Sequence, residues 1–130
     1  RPTLGVNVLD DGVRRALEMQ LRRPLRGALV VEVVAGGPAA EAGVQASRWR
    51  GGADVALGDL ITHVDGEPVR TVEDLLSVVE EKPVDSVVEV RVLRSCDEAR
   101  PETLCVRLAS RDTLLRSVKP LPRFGRRPRR

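Results

Sequence analysis

The sequence predicts a small α+β domain built from thin sheets and short helices. Hydrophobic residues make up 42% of the 130 residues but aromatic residues only 2%, so the core must consist of Val, Leu, Ile and Ala. Short alternating or apolar stretches predict five to six strands, and brief helical patterns predict two to three short helices. Asp65-Gly66 is a strong two-residue hairpin signal. A chain of this length can bury one core, not two.

The first third of the chain reads as strand, helix, strand. Residues Thr3–Leu9 alternate as a half-buried strand does. Asp10 or Asp11 could then cap a helix over Val13–Leu21, because a carboxylate accepts hydrogen bonds from the first helical amides. Ala28–Val34 is almost entirely apolar, which predicts a strand buried on both faces.

The middle third combines a short helix, an insert and a strand. Pro38 suits the first turn of a helix, and Gly43 can take the left-handed conformation that ends it. The segment Ala46–Ala56 has no clear periodicity, so we expect a surface loop. Leu60–Val64 predicts a short strand that leads into the Asp65-Gly66 turn.

The last third predicts a capped helix and two strands. Pro68-Val69 suits a short edge strand. Thr71 is expected to cap a helix from Val72 to about Lys82, with acidic residues near its positive end. Val87–Leu93 and Thr103–Leu108 predict the final two strands, joined by a polar loop.

Two stretches resemble the PDZ family. They are Gly-Gly-Pro-Ala-Ala-Glu-Ala-Gly-Val from Gly36, and Leu-Gly-Asp-Leu-Ile-Thr-His-Val-Asp-Gly-Glu-Pro-Val from Leu57. With Thr3-Leu4-Gly5-Val6 in front, the chain looks like the PDZ domain that follows the protease in HtrA/Deg-type serine proteases. The start and the insert look most like the chloroplast branch. The resemblance covers roughly residues 1–110. It implies a partly open β-barrel or sandwich with HtrA-type (permuted) strand order.

The resemblance also implies a site for peptide C-termini. Backbone N–H groups of Leu4, Gly5 and Val6 would hold the terminal carboxylate, although the same tripeptide could simply open a core strand. The walls of the groove would be Val8, Val72, Leu76 and Val79, with Leu75 and Val78 turned to the core. An aliphatic residue at position 72, where many PDZ domains carry His, favours an apolar ligand side chain two places before the terminus. The alternative is that the residues assigned to the groove are ordinary core residues.

The residues themselves predict neither a catalytic site nor a metal site. His63 is the only histidine, and no serine lies in a nucleophile-elbow motif. One histidine and two distant cysteines do not make a metal site, so we expect no metal and no cofactor. If the chain comes from a Deg-type serine endopeptidase, the catalytic triad lies upstream. A start at Arg1 without Met fits a processed or excised piece.

Two features leave alternatives open. Cys96 and Cys105 flank the last hairpin loop and could form a disulfide in an oxidising compartment, but two reduced, partly buried thiols are the simpler expectation. Trp49, between two arginines in the insert, is a candidate interface residue or else covers the domain's own apolar surface.

Residues 111–130 are expected to form a basic, Pro/Arg-rich extension. Its prolines prevent a helix, so we expect a solvated tail. It could meet acidic lipid or nucleic acid by charge alone. Because Phe124 is its only aromatic residue, specific nucleic-acid recognition is not expected.

Two classes of function follow from the resemblance. The first is a regulatory or substrate-binding domain that delivers polypeptides to an attached protease and helps assemble its oligomer. The second is a free-standing PDZ interaction or scaffold protein, which could be part of a larger assembly. The expected location is the chloroplast stroma or thylakoid lumen, with a bacterial periplasm or another organelle as the alternative.

Overall fold

An antiparallel sheet organises the part of the chain that the computed structural model describes, residues 2–51 and 54–110. The strands are β1 (Pro2–Thr3), β2 (Val6–Val8), β3 (Ala28–Val33), β4 (Arg48–Gly51), β5 (Asp54–Ala56), β6 (Leu60–Val64), β7 (Glu67–Pro68), β8 (Val87–Leu93), β9 (Pro101–Arg107) and β10 (Ala109–Ser110). The helices are α1 (Asp11–Leu21), α2 (Pro38–Ala42) and α3 (Val72–Glu80), with a 3-10 turn at Arg94–Cys96. None of these helices is long and apolar enough to cross a lipid bilayer.

The main sheet is open. Its strand order is β2-β3-β6-β8-β9, and the short β7 also pairs with β6. Two smaller antiparallel pairs, β1 with β10 and β4 with β5, stand outside it. The predicted α+β class with a partly open β architecture and three short helices is therefore confirmed.

Both faces of the sheet are covered, because alternate strand residues point to opposite sides. On one face, the main core packs under α3 and α2 and includes Ala28, Val30, Ile61, Leu75, Val78 and Val79. On the other face, a smaller core packs under α1 and contains Leu17, Leu25, Leu29, Leu60 and Cys96. The prediction that β3 is buried on both faces is confirmed for Ala28–Val30, whereas Glu32 in its second half is exposed.

The helix ends are as predicted from their capping residues. The Asp10 carboxylate accepts from the N–H of Gly12 at 2.9 Å, so Asp10 is the cap of α1. The Thr71 hydroxyl accepts from the N–H of Asp74 at 3.0 Å at the start of α3. Gly43 ends α2 with φ 94°, in the left-handed region.

The insert is not the irregular loop that its composition suggested. Residues 48–51 and 54–56 form an antiparallel hairpin in which Trp49 lies opposite Val55. All four residues of β4 are exposed, so no alternation of apolar and polar residues marked the strand. At its base, the N–H of Ser47 donates to the Val30 carbonyl at 2.9 Å. A Cβ on Gly58 would lie 2.4 Å from the carbonyl carbon of Ala46, so this close approach requires glycine.

The predicted strand Thr3–Leu9 is also interrupted. Gly5 has φ 77°, which breaks the extended backbone between β1 and β2. The part before the break pairs with β10, Pro2 with Ser110 and Thr3 with Ala109, while the part after it pairs with β3. This non-local pairing has no local signature in the sequence.

Both cysteines are free thiols. Cys105 lies opposite Glu89 in the middle of β9, whereas Cys96 lies in the turn beyond the end of the hairpin. Four residues of strand, roughly 13 Å, separate Cys105 from that end, and a disulfide needs Cα atoms within about 7 Å. Cys96 is buried with its Sγ atom 3.6 Å from the Gly58 carbonyl oxygen, and this burial raises the pKa of its thiol to about 12.

We expect the two thiols to react with very different rates. At pH 8 almost no Cys96 side chain is a thiolate, because burial raises its pKa to about 12. Cys105 is exposed. Titration of the native protein with a thiol reagent should show one fast thiol, and the unfolded protein two. Cys105→Ser should remove the fast phase; two fast thiols in the native protein would contradict the burial of Cys96.

Candidate functional site

The edge of the sheet formed by β2 carries an unpaired backbone face. Among the described residues, β2 is the terminal strand of the sheet and pairs only with β3. The Gly5 carbonyl accepts from the N–H of Val34 at 2.9 Å. Since a trans peptide unit is planar, the N–H of Val6 points in the opposite direction, away from β3. In the register Val6 lies opposite Val33, and the bond between Gly5 and Val34 makes this the kind of antiparallel pair whose own N–H groups point outward.

In the loop between β1 and β2, the amide of Gly5 also points away from the element that its peptide unit is bonded to. The Leu4 carbonyl accepts from the N–H of Ala39, the second residue of α2, at 2.9 Å. The N–H of Gly5 therefore points away from α2, and it donates to the Thr3 hydroxyl at 3.2 Å. Successive N–H groups beside a residue in the left-handed region form a concave site that suits an anion. Gly5 supplies that conformation without strain.

Beside this loop lies a cavity of about 60 Å³ between the start of the chain and α3. Its lining residues are Pro2, Thr3, Leu4, Val6, Leu75, Leu76, Val79 and Glu80. Leu76 is 51% exposed, while Leu75 and Val79 are 4% and 5% exposed. The cavity thus has a buried apolar floor and one accessible apolar wall.

Most of the residues predicted for the site meet here. Leu4, Val6, Leu76 and Val79 line the cavity, and Gly5 lies between the first two. Val8 and Val72 do not line it: Val8 packs against the main core, and Val72 is the half-buried first residue of α3. Four other lining residues were not predicted as site residues: Pro2, Thr3, Leu75, which was assigned to the core, and Glu80. The position of Thr3, two residues before the glycine, is the only sequence signal for its hydroxyl bond to that amide.

A buried ion pair between Asp59 and Arg94 holds α2 in place. Asp59 is fully buried, and one of its oxygens accepts from the N–H of Gln45 at 2.8 Å and from Arg94 at 2.6 Å. Burial raises the pKa of this carboxyl, and the Arg94 charge and the two hydrogen bonds oppose that effect. Arg94 also donates to the Gly43 carbonyl at the end of α2, at 3.0 Å. The helix that holds the Leu4 carbonyl is therefore itself held by this pair.

Within residues 2–51 and 54–110, no three His, Cys, Asp or Glu side chains lie together as a metal site would require. The insert carries Trp49 47% exposed on its hairpin. The prediction for residues 111–130 lies outside the described residues.

Comparison with known proteins points to one family. The sequence model of the PDZ domain family matches residues 2–108. Protease Do-like 1, chloroplastic, from Arabidopsis thaliana is 34% identical over 94 residues, which are 72% of this chain and 20% of that protein. This chain thus spans about a fifth of the length of the plant protease.

Solved structures share the fold. The HtrA3 PDZ domain bound to a phage-derived ligand (FGRWV) has a TM-score of 0.57 at 18% identity and covers 83% of this chain and 85% of its own. The HtrA-type protease AlgW with decapeptide has a TM-score of 0.59 at 19% identity, and the match covers 94% of this chain and 30% of the AlgW chain. The photosystem II D1 C-terminal processing protease has a TM-score of 0.55 at 25% identity, and the match covers 82% of this chain and 22% of that protease chain.

Neighbouring leucines of α3 should respond oppositely to a charge. Leu75→Arg should unfold the domain, because a buried unpaired charge costs several kcal/mol. Leu76→Arg should leave the melting temperature nearly unchanged, because its side chain already reaches water. Thermal melts of the two variants, followed by circular dichroism, are the measurement. The reverse order would show that the helix faces are assigned wrongly.

Proposed function

Because the chain belongs to the PDZ domain family, we propose that it binds the hydrophobic C-termini, or extended segments, of polypeptides between β2 and α3. The observation that carries the proposal is the pair of amides at Gly5 and Val6, which point away from α2 and β3 and lie beside a largely apolar cavity. The HtrA3 PDZ domain with its phage-derived ligand and AlgW with its decapeptide support a peptide as the ligand class.

The proposed binding mode is addition of a strand. An extended ligand pairs with the open edge of β2, and its terminal carboxylate accepts from the N–H groups of Leu4, Gly5 and Val6. Its last side chain enters the cavity beside Leu76 and Val79. Further along the groove, Val8 and Val72 face the ligand residue two places before the terminus, which favours an apolar side chain there.

We further propose that residues 1–110 are the regulatory or substrate-binding domain of an HtrA/Deg-type serine endopeptidase in protein quality control, and residues 111–130 a basic extension. The similarity to the chloroplast protease over 72% of this chain supports this. Catalysis, the upstream protease domain and a homo-oligomer belong to the whole protein. The proposed compartment is the chloroplast, in stroma or thylakoid lumen; a bacterial periplasm is the alternative.

The second candidate is a free-standing PDZ scaffold that uses the same groove. The peptide-binding geometry is identical in both cases, so it does not discriminate between them. The gene sequence upstream of Arg1 does. An open reading frame with a serine-protease domain supports the first candidate, and its absence supports the second.

The carboxylate-binding loop can be tested with one peptide in two forms. We expect a peptide ending in Val to bind with micromolar affinity, roughly −8 kcal/mol or weaker. Amidation of its C-terminus should remove most of this affinity, because the amides of the loop lose their anion. The measurement is a calorimetric titration, with Leu76→Arg as the non-binding control. Equal affinity of the free and amidated peptides would show that the loop does not recognise a carboxylate.

The interface proposal for Trp49 is tested separately. Since this side chain is 47% exposed on the hairpin, Trp49→Ala should leave the melting temperature of the isolated domain unchanged. In the full-length protein it should weaken oligomerisation or protease activation, measured by light scattering and by substrate cleavage. A large loss of stability in the isolated domain would show instead that the indole packs internally.

A further inference from the structure

The first turn of α3 is held by a side chain from another helix. The carboxylate of Asp11, the first residue of α1, accepts from the N–H of Val72 at 3.2 Å and 3.4 Å through its two oxygens. Val72 is the first residue of α3, and 61 positions separate the two residues. The first amides of a helix have no partner within the helix, so they need an acceptor from elsewhere. Asp11 is that acceptor.

Arg14 makes a second contact, from α1 to the segment that precedes α3. Its guanidinium donates to the Asp11 carboxylate at 2.7 Å and to the Arg70 carbonyl at 3.1 Å. Arg14 is only 7% exposed, whereas the Asp11 side chain is 28% exposed, so water screens this ion pair only in part. The contacts from α1 thus fall on both sides of Thr71, the capping residue of α3.

The two ends of α3 are fixed by different means. The middle and end are fixed by burial, since Leu75, Val78 and Val79 belong to the main core. Val72 is only half-buried, and packing therefore constrains the beginning of the helix less. A carboxylate at a helix N-terminus also interacts favourably with the helix dipole. The start of the helix also has a local cap, because the Thr71 hydroxyl accepts from the N–H of Asp74 and the Asp74 carboxylate accepts from the N–H of Arg70. The Asp11 bond is the contact that ties this start to α1.

We propose that Asp11 is a positioning residue of the groove. It fixes the distance between Val72 and β2, and so sets the preference for the ligand side chain two places before the terminus. This inference rests on the proposed peptide-binding function. Asp11 itself does not line the cavity that takes the last ligand residue. Its loss should therefore change selectivity at one ligand position rather than recognition of the carboxylate.

The test compares Asp11→Ala with Asp10→Ala. Asp10 caps α1 through the amides of Gly12 and Val13, so its loss weakens the same helix without touching α3. Two probe peptides end in the same residue and differ only two places earlier, Val in one and Ser in the other. We expect the wild type to prefer the Val peptide. Asp11→Ala should reduce the ratio of the Kd for the Ser peptide to the Kd for the Val peptide roughly fivefold, the factor that corresponds to about 1 kcal/mol for a typical lost cap. Asp10→Ala should lower the melting temperature and leave the ratio unchanged.

Two further measurements keep the outcomes distinct. Asp11→Asn retains an oxygen that can accept from Val72 and should restore most of the ratio. Hydrogen exchange of the Val72 amide, which needs no ligand, should be faster in Asp11→Ala than in Asp10→Ala. An unchanged ratio, or equal changes in both alanine variants, would overturn the positioning role. If exchange responds as expected but the wild type binds neither peptide, the proposed function has failed, and with it the ligand selectivity, while the contact stands.

Discussion

The geometry of the groove depends on two carbonyl groups that already have partners. The oxygens of Leu4 and Gly5 accept from the N–H groups of Ala39 and Val34. Planarity of the peptide unit then turns the N–H groups of the next two residues, Gly5 and Val6, away from α2 and β3. Without these two bonds the loop could rotate, and neither amide would have a fixed direction. The two carbonyl bonds thus fix the direction of both amides, of which the Gly5 N–H is held locally by the Thr3 hydroxyl.

The bond from Ala39 to the Leu4 carbonyl requires that α2 be held in a fixed position. Ala39 belongs to α2, a helix of five residues that is too short to be stable by itself. Its end is held by Arg94, which binds the Gly43 carbonyl and the buried Asp59. Removal of one partner of such a pair leaves an uncompensated buried charge. The pair therefore supports the site through the position of α2 without lining the cavity.

How much could be predicted depended on whether the signal was local. Leu60–Val64 and Val87–Leu93 were predicted with their observed bounds, because each is a short apolar or alternating run. The hairpin in the insert was missed because its first strand is exposed throughout. For the site, the resemblance to a family identified Leu4, Leu76 and Val79. The bond between Asp11 and Val72 could not be foreseen, because only the tertiary fold brings these residues together.

An open sheet edge is also a hazard, since any extended chain can pair with it. Here β2 has only three residues, and a register shift between Asn7 and Val8 disturbs its ladder with β3. The exposed Asn7 side chain is hydrogen-bonded to Glu32, which adds polar groups to this edge. So short and irregular an edge offers too few backbone bonds to hold a chain by pairing alone. Under the proposed function, a ligand must add a terminal carboxylate for the loop and an apolar side chain for the cavity. Selectivity for chain ends then follows from the weakness of the edge itself.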